Sequence, residues 1–438
     1  MTFKLLNPED SAAIAYLHSP LAIRERCGQL FDLACADKLR YFRCDLSQLD
    51  RVAEYVIQIT RESYPDLNIP FHSRWRHFEV GDSTRLTLLD EKLAGLTPLA
   101  KAQAKFDLAI VSVLLDAGAG DRWQYTEPGS GQVWRRSEGL AIASFHAFCQ
   151  GVFSSDANQP LQADAIGLQT LTEEALSEAF QVSAENPLVG VQGRLNLLQR
   201  LGKVLQDSPD VFGVQNPRPG CLVNYLLRQI RDGQLEASAV LSVVLSGLGA
   251  IWPGRLTIAD VNLGDVWVHS ALPDDQPYSQ LVPFHKLSQW LTYSLLEPLQ
   301  ALGTEISLTE EEIASVVKIE PLQATLEIIG LDALTGLPEY RNGGLCVDLG
   351  LLQIKDPIVL QQKHLSSAEA IVEWRALTVI LLDRLAETIR QQLHLTATDL
   401  PLVKILQGGT WAAGRQIAAE LRPSGRPPIQ IESDGTVF

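Results

Sequence analysis

Apolar residues recur at three- and four-residue steps through most of the chain. In "RLNLLQRLGKVLQ" (194–206), Leu198, Leu201 and Leu205 fall on one stripe, the pattern of a helix lying on a core. "TLTEEALSEAFQV" (170–182) opens with Thr and sets Glu173 and Glu174 in its first turn, where they favour the helix dipole. "HLSSAEAIVEWRALTVILLDRLAETIRQQL" (364–393) begins with Ser366 and Glu369 at capping-box spacing. It then carries Leu377, Leu381, Leu385 and Ile389 at four-residue steps, which predicts one long helix. As a helix, "VPFHKLSQWLTYSLLEPL" (282–299) lines up Phe284, Leu287, Leu291 and Leu295 on an apolar stripe. Lys286, Gln289, Trp290 and Tyr293 gather on another face, because residues three, four and seven apart lie together.

Strand signals are few. "RWQYTEPGSGQVWRR" (122–136) reads as a hairpin around Pro-Gly-Ser-Gly, and "PPIQIESDGTVF" (427–438) as a short pair around Asp434-Gly435. The Pro-rich stretches 206–220 and 270–283 are loops too short for interdomain linkers. The expected fold class is mainly α, a single large helical domain with one or two short β-hairpins. Residues 1–120 form an N-terminal helical part and 121–438 the main helical domain, either separable or continuous.

Composition narrows the function classes. The chain has 438 residues, 46% hydrophobic and 20% charged, enough to bury a large core. Its N-terminus lacks the basic-then-apolar pattern of a signal peptide. The longest apolar stretch, 237–252, is broken by Ser and Gly and falls short of the ~20 residues a membrane span needs. Cys27, Cys35, Cys44, Cys149, Cys221 and Cys346 form no C-x-x-C pair. That usage fits a reducing cytosol, neither a disulfide framework nor a structural zinc, so a cytoplasmic protein without metal or cofactor is expected. The net charge of −16 argues against nucleic acid as a partner. A small anion in a local Arg pocket stays compatible with it.

The common enzyme fingerprints are missing: no G-x-x-x-x-G-K-[ST], no H-E-x-x-H and no G-x-S-x-G. "DAGAGDRW" (116–123) lacks Rossmann spacing and reads better as the loop ending a helix. His72 and His77 are a close pair, but not at the i, i+4 step of a helical metal site.

Two stretches carry chemistry. Lys286 beside Trp290 and Tyr293 is either a snorkelling lysine or a cation in a pocket with flat aromatic walls, suited to planar base-like or urea-like ligands. In "GLPEYRNGG" (336–344), Pro338 fixes the backbone before Glu339, Tyr340 and Arg341, and Gly343 and Gly344 would free the chain beyond. Acids held in tight, partly apolar turns have shifted proton affinity. A surface turn pairing Glu339 with Arg341 is the plain alternative.

Several strings together point to a family. "RRSEGLAIASFHAF", "NPLVGVQGRLNLLQRLG", "LGDVWVH", "LVPFHKLSQWLTYSLLEPL", "GLPEYRNGGLCVDLG", "EWRALTV" and "GGTWAAGR" occur in order from about residue 20 onward. They resemble the uracil-catabolism family of unknown mechanism, which has fungal and bacterial members. That resemblance implies a part in uracil breakdown through a ribosylated intermediate, with other enzymes of that pathway as partners.

The block order is also similar to the queuosine-salvage N-glycosidase family, whose fold is the helical one of DNA glycosylases. The run with Pro187, Arg194, Leu198 and Gly202, the Phe284-His285-Lys286 string with Gln289, and the Glu339-Tyr340-Arg341 string match its blocks. Two departures stand out: that family has Asp where this chain has Glu339, and Tyr where it has His285. The resemblance implies an N-ribosyl hydrolase, with Glu339 and Lys286 catalytic. Cleaving a ribosyl C–N bond passes through an oxocarbenium-like state that a carboxylate stabilises or traps. His285, Gln289, Trp290, Tyr293, Tyr340 and Arg341 would then contact the riboside. Arg135, Arg136 and Arg194 would serve a 5′-phosphate on a ribose phosphate ligand. A partner protein that binds the intermediate without chemistry, or a helical protein whose motifs are packing signatures, remain the other readings.

Overall fold

The computed structural model describes residues 7–81, 84–116, 118–252, 255–305 and 326–432. It is mainly α, with strands confined among the described residues to two-stranded sheets. The chain divides into two compact units, one within 1–72, 254–289 and 330–438, the other within 73–253 and 290–329. Residue 120, where a separable N-terminal part was expected to end, lies inside the second unit.

The first unit is built on the helix Glu369–Leu393. Nearly every turn of its first half is buried, including Trp374, Arg375, Leu377 and Leu381. It packs against the helices Pro20–Cys35, Leu49–Ser63 and Tyr340–Asp348. The expected capping box at its start does not form: Ala368 is the N-cap, with no side-chain cap. The preceding Lys363–Leu365 is a strand, and the Glu369 carboxylate instead accepts from the backbone N–H of Ser270 at 2.9 Å. Gln430–Glu432 pairs with that strand in parallel, so the C-terminal pairing is long-range. The turn expected at Asp434-Gly435 lies outside the described residues. Val266–Val268 and Leu281–Pro283 form an antiparallel pair, which delays the next helix to Lys286–Glu305 and leaves Phe284 and His285 ahead of it.

The helix Tyr340–Asp348 contains Gly343 and Gly344, so the glycines free no loop. A Cβ on Gly343 would stand 2.6 Å from Trp374 Cε2, closer than packed atoms tolerate. The residue is glycine because the indole of the central helix lies on its backbone. A Cβ on Gly414, in the helix Trp411–Leu421, would run into the carbonyl of Arg341 in the same way.

The second unit contains the helices Pro98–Leu114, Arg136–Cys149 and Val191–Asp207. The hairpin expected at 122–136 is present, with Tyr125–Thr126 against Val133–Trp134. The helix expected over 170–182 is present as Glu173–Ala179, capped by Thr172 with Glu173 and Glu174 in its first turn, and a separate short helix, Ala165–Thr170, precedes it. In the helix Lys286–Glu305, Pro298 has no N–H for the carbonyl of Ser294. The indole Nε1 of Trp75 donates to that carbonyl instead, at 2.7 Å. Among the described residues no helix is long and apolar enough to cross a membrane.

Candidate functional site

Four of the recurring strings meet in the first unit. Asp265, from "LGDVWVH", precedes a strand, and its side chain is 14% exposed. It accepts both arms of the Arg375 guanidinium at 2.8 and 2.7 Å, the indole Nε1 of Trp267 at 2.6 Å, and the backbone N–H of Lys286 at 3.1 Å. Burial alone would raise its pKa, but the charge and hydrogen bonds of Arg375 hold the carboxyl well below the usual range. Arg375, from "EWRALTV", is 1% exposed. Its guanidinium lies 4.1 Å from the Phe284 ring and its Nε points to the carbonyl of Pro338 at 3.4 Å. One ion pair therefore touches the residue before Glu339 and the first residue of the helix that carries Lys286.

Gln289 ties the same two segments. Its Oε1 accepts from the Thr335 N–H at 2.8 Å, and its Nε2 donates to Thr335 Oγ1 at 2.6 Å and to the Phe284 carbonyl at 3.1 Å. It has no exposed surface, so it acts as a clamp.

Glu339 is the N-cap of the helix Tyr340–Asp348. Its oxygens accept from the N–H groups of Arg341 at 2.8 Å and Asn342 at 2.5 Å. Only 6% of the residue is exposed. Burial raises its pKa. The two backbone donors and the charges of Lys286 and Arg341 pull the other way without overcoming it.

His285 has φ +48°, a left-handed conformation that costs a non-glycine residue energy. Its Nε2 hydrogen-bonds the Leu17 carbonyl at 2.8 Å, its ring meets His18 edge-on at 5.4 Å, and burial lowers its pKa. Tyr340 is 38% exposed. Arg341 is buried and donates to the Gly425 carbonyl at 2.8 Å, so Glu339 and Arg341 do not form a surface turn.

The other expected site residues belong to the second unit. The Trp290 ring lies 5.6 Å from the Arg74 guanidinium and 5.6 Å from the His77 ring; Tyr293 is fully buried. Arg135 is exposed and donates to Gln124 at 2.9 Å, and Arg136 is exposed with φ +54°. Arg194 is buried and donates to the carbonyls of Leu115, Val189 and Gly118. Burial lowers its pKa to about 10. The carbonyls of Leu115 and Gly118 follow the helix Pro98–Leu114, so Arg194 closes that helix end, and the helix stops just before "DAGAGDRW". Among the described residues no group of three His, Cys, Asp or Glu side chains is arranged to hold a metal.

Asp265 and Arg375 were not singled out from the sequence. A signal existed for Arg375: it interrupts an otherwise apolar run in a helix buried on all sides, and such a cation requires a partner. Nothing local marks Asp265. His72, expected in a surface or core role rather than as a metal ligand, hydrogen-bonds Gln407 through Nδ1 at 3.0 Å.

Fold and cluster define a mainly helical protein with a charged centre assembled from distant strings. The chain belongs to the family described as "Protein of unknown function (DUF1688)", whose model matches residues 16–316 and 314–438. It is similar to "Uracil catabolism protein 4" of Lachancea kluyveri, at 37% identity over 457 residues, covering 97% of this chain and 99% of that protein. It is also similar to "Protein urg3" of Schizosaccharomyces pombe, at 39% identity over 433 residues and the same coverage of each. These relatives agree with the uracil-catabolism family that the motif strings resemble.

Proposed function

We propose that the protein takes part in uracil catabolism as an N-ribosyl hydrolase acting on a ribosylurea-type or pyrimidine-derived riboside. The observation that carries the reading is Glu339: a buried carboxyl of raised proton affinity under the charge of Lys286, backed by the Asp265–Arg375 pair. In the reaction the C1′–N bond breaks with its electron pair on nitrogen. Positive charge grows at C1′ and the ring oxygen, and the Glu339 carboxylate stabilises it. Water then forms the C1′–O bond, and one of its protons ends on the leaving nitrogen. Lys286 favours the ionised form of Glu339 against its burial and donates to the sugar. Gln289 and Arg375 hold the two segments in register, since a displacement of about 1 Å is enough to impair such chemistry.

One observation favours a second reading, a protein that binds the riboside without cleaving it. Both Glu339 oxygens already accept main-chain N–H groups of a helix start, a capping role that needs no catalysis. Release of free ribose from N-ribosylurea, followed with wild type and Glu339→Gln, separates the two. Ribose release that depends on Glu339 supports hydrolysis; binding of the riboside with no release supports the second reading.

A further inference from the structure

The second unit carries a groove between the C-terminal half of the helix Lys286–Glu305 and the helices Arg74–Phe78, Arg85–Lys92 and Pro98–Leu114. It consists of two cavities of about 220 and about 170 Å³. Asp90, Lys105, Pro298 and Ala301 line both, so the cavities meet at these residues. Lys105 Nζ lies 2.8 Å from Asp90 Oδ1, and this ion pair stands at the junction.

The two cavities differ in character. The larger adds Lys101, one helical turn before Lys105, beside the buried Ala102 and Leu302. Two ammonium groups meet one carboxylate there, a surplus of one positive charge, and among the described residues Lys101 makes no ion pair. The smaller adds Trp75, Leu86 and Leu89 together with Arg76 and Glu297. Its two charges already hold each other: Arg76 donates to Glu297 at 2.7 Å and reaches Glu79 at 2.8 Å, and Ser73 Oγ donates to the other Glu297 oxygen. Trp75 is fixed at this end, because its indole N–H holds the Ser294 carbonyl that Pro298 cannot serve. One end of the groove is therefore cationic, and the other offers apolar surface.

The pair at the junction is the part that can yield. The Asp90 side chain is 61% exposed and that of Lys105 22%. A pair so open to water favours its closed form by no more than about five-fold. A carboxylate entering the groove can take Lys105 from Asp90, which swings into water, and the two cavities then join. We propose that the groove binds a small amphipathic monocarboxylate, its head between Lys105 and Lys101 and its tail on Trp75, Leu86 and Leu89. A single negative charge balances the surplus at the lysine end. Each water occupies roughly 30 Å³, so cavities of this size admit a chain of about six carbons. The site stands independently of the ribosyl-hydrolase reading.

The test titrates hexanoate, hexanol and hexylamine, which share a tail and differ in the head, into the full chain by ligand-observed NMR. Hexanoate is expected to bind more tightly than hexanol by about 10-fold or more, the worth of hydrogen bonds to charged groups, and hexylamine more weakly than either. Butanoate should bind more weakly than hexanoate by about four-fold for each methylene withdrawn from the apolar end. Lys105→Met keeps the apolar stem and removes the charge. It should weaken hexanoate by about 10-fold and leave hexanol unchanged. Asp90→Asn removes the competing carboxylate and should tighten hexanoate by about two- to five-fold, a gain that binding elsewhere on the molecule would not give. Equal affinity for the three heads overturns the proposal, as does an Asp90→Asn variant that binds hexanoate no more tightly than wild type. No saturable binding of hexanoate overturns it too, and that measurement needs no variant to fold.

Discussion

Asp265 and Arg375, 110 residues apart in the chain, are joined by two parallel hydrogen bonds of 2.8 and 2.7 Å, and the guanidinium is 1% exposed. Such a pair is worth little against a well-packed apolar substitute, yet breaking it strands a charge in the interior. Asp265→Ala is expected to cost about 3–5 kcal/mol in denaturant unfolding. Asp265→Ala combined with Arg375→Met should cost clearly less than the two single changes summed. Strict additivity would mean that the two residues act separately.

Glu339→Gln should leave the fold nearly intact, costing about 1 kcal/mol, because Gln retains one cap acceptor and the volume. Ribose release should fall by roughly 10²–10⁴-fold. Glu339→Asp, with the acid of the N-glycosidase family, should retain measurable release. A Gln variant releasing ribose at the wild-type rate would make Glu339 a cap and nothing more.

Gly343→Ala should destabilise by about 1–3 kcal/mol, since its methyl would stand 2.6 Å from the Trp374 ring system in a packed core. Gly344→Ala places its methyl 3.2 Å from Pro428 Cδ, at the edge of the C-terminal segment, and should cost less. Thermal unfolding of the two variants orders them. Equal losses would remove the close approach of the indole as the reason for Gly343.

Acid should weaken the fold in two stages. His72 and His18 have pKa values lowered from 6.5 to about 4, in both cases chiefly by burial. Above pH 6.5 both are neutral in either state. As the pH falls towards 4 the unfolded chain takes up protons that the folded chain refuses, so stability drops across that window and levels off below it. In the second unit, burial works upward on Glu127, but Arg85 and His146 take it down from 4.5 to about 2. Its contribution is full above 4.5 and is lost as the pH falls through 2. Unfolding midpoints at pH 7, 5.5, 4 and 2.5 check this. Constant midpoints from 7 to 4 would show that both imidazoles take up protons in the folded state.

How far the sequence reveals this depends on the range of the interactions. The apolar stripe of Leu198, Leu201 and Leu205 reports a local period, and the helix Val191–Asp207 follows it. The hairpin around Pro128-Gly129 is equally local. The pairing of Gln430–Glu432 with Lys363–Leu365 was not foreseen, because the partner is more than 60 positions away and no neighbouring residue encodes the choice. Gly343 looked like a hinge because glycine marks both freedom and contact, and only Trp374 tells which. Of the expected site, Glu339, Lys286 and Gln289 lie on segments that the Asp265–Arg375 pair and the Gln289–Thr335 hydrogen bonds tie together. The two residues that brace them escaped because Asp265 has no local signature and the cation interrupting the apolar run at Arg375 does not say where its partner is.

The discontinuous make-up of the first unit has a consequence for synthesis. A ribosome delivers Leu49–Ser63 some 300 residues before the helix Glu369–Leu393 that covers it. The apolar faces of Val52 and Val56 must wait through translation of the whole second unit, about 15 to 60 seconds at the usual pace of 5–20 residues per second. Nascent chains stalled before residue 369 should therefore draw on holdase chaperones, and the Glu339 centre is among the last parts of the molecule to come into being.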